Sequence, residues 1–450
     1  MSTSDAAPRK HGNESPTRQA QSEHSGGASR LRAADLSALG DEALLEALQR
    51  QTFGFFWEGA HEPSGLARDR HPYTAARADL VATGGSGFGL MAMLVAVERG
   101  WIPRGAALER LTHATQLLAR ARTHHGALPH FLDGRSGATI PFMPRDDGGD
   151  LVETAFLCMG LLCVRQYFVR ADAIEAALRE RIDALLARVE WDWYGREDRQ
   201  VLYWHWSPTC GWALEHRIRG WNECLITYVL AAGASRHAIE PELYHRGFAS
   251  GPEFRNGAHY YGIELPLGPA FGGPLFFAHY SFCGLDPRGL SDRYADYWRQ
   301  NLHHMRINQQ HCIVNPHHFP GYGSDCWGLT ASDDPGGYEA HSPTVDNGTL
   351  SPTAALSSFP YAPAECLRAL RYFLATHGDA LWGRFGFVDA FCPARGWYAD
   401  SFLAIDQGPI IVMIENYRSG LLWRLFMSAP EVQRGLSLLG FQRSPPTEMA

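Results

Sequence analysis

Residues 144–163 read PRDDGGDLVETAFLCMGLLC. The second half is apolar on every face, the pattern of a helix with no solvent side. Yet it is entered through four acids, Asp146, Asp147, Asp150 and Glu153. A helix starting near Asp146 would set Asp146, Asp150 and Glu153 at i, i+4 and i+7, on one face. One or two acids at a helix N-terminus serve as caps and complement the macrodipole. Three stacked over a buried helix repel one another and push at least one pKa upward, the condition that general acid/base chemistry uses. Both readings stand at this point.

Helical periodicity recurs on either side of this segment. It predicts helices near 41–60, 83–99, 104–122, 171–190, 220–234, 275–283, 291–310, 363–376 and 408–427, with weaker candidates at 239–248 and 352–358. Strand-like alternation is scarce. Some of these helices are apolar nearly all round, such as 151–163 and 408–427, whereas 171–190 carries many charges on one face. Inner and outer helices in alternation predict an all-α fold, an (α/α)6 barrel of six hairpins with long loops at the active-site mouth. The segment 311–351 is far longer than a connector needs, and its Tyr322, Trp327, Tyr338 and His317 suggest an ordered wall beside a site. Residues 1–38 are rich in Ser, Gly, Pro, Arg and His and read as a disordered leader, with 39–450 as one catalytic domain.

Composition excludes several chemistries. Only Lys10 among the 40 basic residues is a lysine, so Schiff-base catalysis and a phosphate-cradling GxxxxGK[ST] loop have no amine in the folded part. The net charge of -8 argues against nucleic acid or an anionic membrane as partner. Nine cysteines occur without a CxxC pair, which reads as free thiols. The N-terminus has no apolar signal core, so the chain as written is expected in the cytoplasm, or in the periplasm if the start is misassigned. GFGLMA at 87–92 fits close helix packing better than a dinucleotide fingerprint, because nothing upstream reads as a convincing strand-turn-helix unit and the downstream strands are missing. There is no GxSxG elbow, and the His124–His125, His303–His304 and His317–His318 pairs lack metal-ligand spacing. No metal and no cofactor are expected.

Two more acids stand beside apolar helices: Glu223 in GWNECLITYVLAAG and Asp406 in AIDQGPIIVMIENYRSG, where Glu415 and Arg418 suit an internal ion pair. Eight tryptophans and tyrosines fall between 191 and 221. Their flat faces suit a pyranose ring, although most must serve as core. Candidate substrate contacts are Trp212, Trp221, Asn222, Trp327, Tyr338, Tyr361 and Arg418.

At these residues the chain resembles the glucoamylase-like glycoside hydrolases, which are related to bacterial β-1,2-glucanases and to the transglycosylating domain of cyclic β-1,2-glucan synthases. The resemblance is carried by ATGGSGFGLMAMLVAVERGWI, GDLVETAFLCMGLL, GWNECLITYVLAAG, HYSFCGLDPRGLSDRYADYW, CWGLTASDDPGGYEAHSPTVDNGTLSPTAALSSFPYAP and LAIDQGPIIVMIENYRSGLLWRLF, and it spans nearly all of 40–430. The chain departs from the family in reading ATGGSGFGL for the shorter ATGFGL, and ASRHAI for SPTHPI. The resemblance implies an (α/α)6 barrel that cleaves a β-linked glucan, most readily a β-1,2-glucan, by metal-independent acid/base catalysis; inversion is expected because Glu223 and Asp406, 183 positions apart, can face each other across the mouth of a closed barrel. It implies Glu223 as proton donor, Asp406 as base, and Asp146, Asp150 and Glu153 as the acidic cluster. Transglycosylation, exo action, sugar epimerisation, polysaccharide lysis and glucan binding without catalysis are the alternatives on the same barrel. The partner expected is an oligo- or polysaccharide.

Overall fold

Helices with no polar face need neighbours on all sides, and this chain supplies them by alternating such helices with amphipathic ones. The computed structural model describes residues 31–444. Amphipathic α1 (Asp41–Trp57) leads to α2 (Thr83–Glu98), in which every residue from 83 to 96 is buried. Outer α3 (Arg104–Arg120) leads to inner α4 (Leu151–Tyr167), and outer α5 (Ala173–Ala187) to inner α6 (Leu225–Gly233). The fourth pair is reduced to a short outer helix, Glu242–Arg246, and inner 3-10 turns at Leu275–Ala278 and Ser281–Cys283. Outer α7 (Tyr297–Val314) pairs with the short inner helix Pro352–Leu356, and outer α8 (Pro363–Tyr372) with inner α9 (Ala404–Arg418). Helices α10 (Leu421–Met427) and α11 (Pro430–Leu438) follow, and α11 packs on α6.

The six inner elements form a ring: α2 packs on α4, α4 on α6, Pro352–Leu356 on α9, and α9 back on α2. Ser281 joins α6 to the inner turns, accepting from the Ile226 N–H at 3.0 Å and donating to the Glu223 carbonyl. The Tyr361 hydroxyl donates to the Ala278 carbonyl at 2.7 Å, and His279 meets Ser358 at 2.9 Å, tying those turns to the next inner element. This is the (α/α)6 architecture. Where α2 crosses α4, a Cβ on Gly87 would strike the Phe156 and Leu157 backbone and one on Gly160 the backbone of Gly87. The glycines of GFGLMA therefore do serve close packing.

Several boundaries differ from the periodicity. Residues 275–283 form 3-10 turns rather than an α-helix, and 408–427 is two helices broken at Gly420, where φ is +67°. Helix α11 is an addition. Of the expected leader, residues 1–30 lie outside the described residues; Ala33–Ser37 is helical, with Ala33 and Leu36 buried in the core, so order begins before residue 39. Two apolar side chains at i and i+3 suffice to dock a single turn. All nine cysteines are free, and only Cys210 is exposed. Among the described residues no helix is long and apolar enough to cross a membrane. Among the described residues strands are at most four residues long and are confined to loops and turns.

Candidate active site

The N-terminal ends of α2, α4, α6 and α9 open on a cavity of about 390 Å³, within the size range of small-molecule sites. Glu153 and Glu223 line it together, with Phe142, Trp204, Tyr280 and Tyr338 among the surrounding rings.

The acids of 146–153 converge by a route the helical spacing does not predict. Helix α4 starts at Leu151, five residues after Asp146. Asp150 is its N-cap, one carboxylate oxygen accepting from the Val152 and Glu153 N–H groups at 3.0 and 2.9 Å. Asp146 lies in the preceding turn, where its N–H donates to the Met143 carbonyl. Two imidazoles join the acids: His130 Nδ1 lies 3.1 Å from Asp150, and His205 Nε2 lies 3.3 Å from both Asp150 and Asp146. His205 is brought there by a two-residue strand pairing, Asp150 opposite His205 and Gly149 opposite Trp206.

This network separates the titrations of neighbouring acids. Burial would raise Asp150, but the two imidazoles outweigh it and hold its carboxyl well below the usual range. Burial disfavours charge on His130, yet Glu153, Asp150 and Asp146 raise it to about 9. Asp146 is raised, by burial first. Glu153 is pushed up to about 7 by burial and by the Asp150 charge, against the pull of His130 and of the Gly84 N–H that it accepts at 2.6 Å. Glu223, 8% exposed, is also pushed up to about 7, by burial and then by the charges of Glu153 and Asp150. Two carboxyls poised near neutrality in one cavity are the equipment of acid/base catalysis.

Asp406 is 2% exposed and does not line the cavity, although its neighbours Ala404 and Ile405 do. Burial, and then the Asp389 carboxyl beside it, raise its pKa well above the ordinary value. Tyr338, half exposed on the hairpin of Ala331–Asp334 and Gly337–Ala340, lines the cavity.

Other expected contacts lie elsewhere. Trp221 packs among Phe248, Phe254, Phe282 and Tyr297, and Trp327 is fully buried. The Tyr361 hydroxyl is spent on Ala278 and Asn301. Asn222 caps the approach to α6 through the Cys224 N–H at 3.0 Å. Trp212 stacks on Trp193 at 4.8 Å in a separate groove with Glu190, Arg196 and His237. Arg418 sits at the C-terminal end of α9, paired with Glu46 at 2.8 Å, and Glu415 pairs instead with Arg99 at 2.8 Å. Large apolar surfaces and long cationic side chains were drawn into packing there. Conversely His130, Phe142 and Tyr280 line the cavity and His205 reaches its neighbouring acids although no local pattern marks them, because their partners are distant in the chain. His130, Asp146 and Asp150 also bring ligand-type atoms within 4.8 Å of one another. Asp150, however, is already satisfied by two N–H groups and two imidazoles.

Residues 215–430 match the glycoamylase family model, described as “putative glucoamylase”. An endo-β-1,2-glucanase from Chitinophaga pinensis, solved with sophorotriose and glucose, is 49% identical, with 90% of this chain and 99% of that one covered and a TM-score of 0.87. The chain belongs to the glucoamylase-like family. An exo β-1,2-glucooligosaccharide sophorohydrolase acting at the non-reducing end, from Parabacteroides distasonis, is 46% identical over 88% of this chain. The present chain spans 57% of that relative's length. At 11% identity, an endo-β-1,2-glucanase of Talaromyces funiculosus shares the fold, with a TM-score of 0.62 over 93% of this chain and 97% of that one.

Proposed function

We propose that this protein hydrolyses β-1,2-linked glucan or its oligosaccharides, with Glu223 as the proton donor to the glycosidic oxygen. The observation that carries the reading is the placing of Glu223 and Glu153 in one cavity at the barrel mouth, both pushed up to about 7. Kinship at 49% and 46% identity with two enzymes named for β-1,2-linked substrates supports the linkage.

Protonation of the leaving oxygen needs an acid that keeps its proton at working pH, and a carboxyl poised near neutrality meets that need. The base is assigned to Glu153 rather than to Asp406. Glu153 faces the cavity and titrates near neutrality, whereas Asp406 lies behind the wall, where burial raises its pKa well above the ordinary value. The Gly84 N–H fixes one Glu153 oxygen and leaves the other for a water. His130, raised to about 9, and His205, raised by the Asp150 and Asp146 carboxylates, set the field in which both glutamates titrate. Phe142, Trp204 and Tyr338 offer ring faces to the sugars.

The test is incubation with linear and cyclic glucans of defined linkage, followed by product chromatography. Release of reducing ends from β-1,2-glucan alone is expected, and the size of the first products separates endo from exo action. Loss of that release in Glu223→Gln supports the donor role. Cleavage of another linkage in preference, an isomer without cleavage or an unsaturated product would overturn the reading.

A further inference from the structure

Of the rings clustered between 191 and 221, Trp191, Tyr194, Tyr203 and Trp221 are buried, but Trp193 and Trp212 are only partly so. Both line a groove of about 940 Å³, larger than the catalytic cavity and separate from it. A tryptophan that keeps part of its indole in water forgoes stabilisation that the core would give it. Here two do so side by side, in a stack that is already rigid. The His125 ring lies 3.5 Å from that of Trp193 and within 7° of parallel, and Trp212 stacks on Trp193 at 4.8 Å. Tyr194 meets both indoles edge-on, at 5.2 and 5.9 Å.

The polar rim is held as firmly. Glu190 Oε2 lies 2.9 Å from His125 Nδ1, and Asp192 Oδ1 3.3 Å from His237 Nδ1, which leaves the other oxygen of each to accept from a ligand. The guanidinium carbon of Arg196 is 4.8 Å from the Tyr203 ring and 5.6 Å from that of Trp212, and its Nη1 is 3.5 Å from Glu215. Carboxylates outnumber guanidiniums in the lining, which disfavours an anionic ligand. Among the described residues no metal-ligand cluster gathers there. Apolar rings bordered by fixed acceptors and a planar donor suit a neutral polyhydroxylated ring, whose C–H face meets an indole while its hydroxyls meet the rim.

One short strand ties this groove to the catalytic cavity. Trp204 lines the cavity and precedes the strand His205–Trp206, whose His205 reaches Asp146 and Asp150. Trp206, two residues on and so roughly 7 Å further along an extended chain, meets Trp193 edge-on at 5.3 Å. A glucan long enough to leave the cavity has a second set of rings within reach, on the same segment of the protein.

We propose that the groove of Trp193 and Trp212 is a second, non-catalytic glucan-binding site, which holds a stretch of the same β-1,2-linked polymer that the cavity cleaves. The identity of the glucan rests on the hydrolytic reading. The effect is tethering: a chain held in the groove presents its next segment to the cavity at raised effective concentration, so long chains gain and short ones do not.

The test uses Glu223→Gln, in which cleavage is slowed, titrated by calorimetry with linear β-1,2-gluco-oligosaccharides. Two sites per chain are expected. Adding Trp212→Ala should weaken one of them by about tenfold or more, whereas Trp212→Phe, which keeps a ring, should retain both. In the active enzyme, W212A should lower the ratio of kcat/KM on polymer to kcat/KM on trisaccharide by about tenfold. If W212A fails to fold, Arg196→Ala, at a partly exposed side chain outside the ring stack, should weaken the same site. A single site in E223Q, or two sites indifferent to the Trp212 and Arg196 changes, would overturn the proposal. Failure of the hydrolytic reading appears differently, as no cleavage of β-1,2-glucan by wild type, whatever E223Q binds.

Discussion

Glutamine at Glu223 should make the protein slow on natural glucans and, above neutral pH, more stable. The folded-state pKa of Glu223 lies at about 7 against an ordinary 4.5, with burial as the main cause. A raised carboxyl pKa means that the folded protein prefers the protonated form. Its stabilising effect is complete below about 4.5 and is lost as pH rises through about 7. At 1.36 kcal/mol per pH unit, ionising this side chain costs the folded state about 3 kcal/mol by pH 8. Glu223→Gln keeps the shape and has no proton to lose, so it escapes that cost. Unfolding entropy of roughly 2.1 cal/mol/K per residue over about 400 residues is close to 0.8 kcal/mol/K, which turns 3 kcal/mol into a Tm rise of about 4 °C. Scanning calorimetry of wild type and E223Q at pH 4 and pH 8 checks this. Equal Tm values at pH 4 and a higher value for E223Q at pH 8 are expected. An offset of the same size at both pH values, or none at pH 8, would refute the claim that Glu223 is held neutral by burial.

On substrates, Glu223→Gln should slow natural glucans by about 10²–10⁴-fold while slowing an aryl glycoside with an activated leaving group far less, since such a group needs little protonation. Equal losses on both, measured as kcat/KM, would make Glu223 a substrate-positioning residue. Proton NMR of fresh product, before mutarotation, should show the α-anomer first from a β-linked glucan, with water attacking in one displacement. Early β-anomer would place a nucleophile where a base is proposed. Asp150→Ala should cost at least 1–2 kcal/mol from the lost N-cap alone, seen as a lower urea midpoint near neutral pH. It should cost less at pH values below the ordinary carboxyl pKa, because the lowered Asp150 pKa gives a contribution that disappears as pH falls.

Most of the helical architecture was legible because burial on all sides leaves no polar face, and 83–96, 151–163 and 225–233 show none. The inner elements that carry little helix were legible only as weak periodicity. At 275–283 the turns are held by Ser281, His279 and Tyr361 through bonds to other parts of the ring, and a local window does not contain those partners. The acids beside inner helices were visible as candidates for the same reason that makes them unusual, a charge at the edge of an apolar run. Which of them face the cavity was not visible. Glu223 and Glu153 do, Asp406 does not, and the difference depends on where Ala404 and Ile405 fall in the wall. Tryptophan content misled most, since Trp221 and Trp327 supply core volume while Phe142 and Trp204 line the cavity.

The ring of inner helices is closed by its first and last members, α2 and α9. On the ribosome these are separated by the synthesis of the 305 residues between Glu98 and Ala404. At roughly 5–20 residues per second that is about 15–60 s in which the fully apolar surface of α2 has no partner on one side. Glu153 and Glu223 are made early in this interval, but the wall that keeps water from them arrives only with α9. The nascent barrel is therefore an open arc with a sticky edge for most of its synthesis, and a client for chaperones that hold apolar surface. A chain truncated before residue 404 should be captured by such a chaperone, and the full-length chain should be released from it.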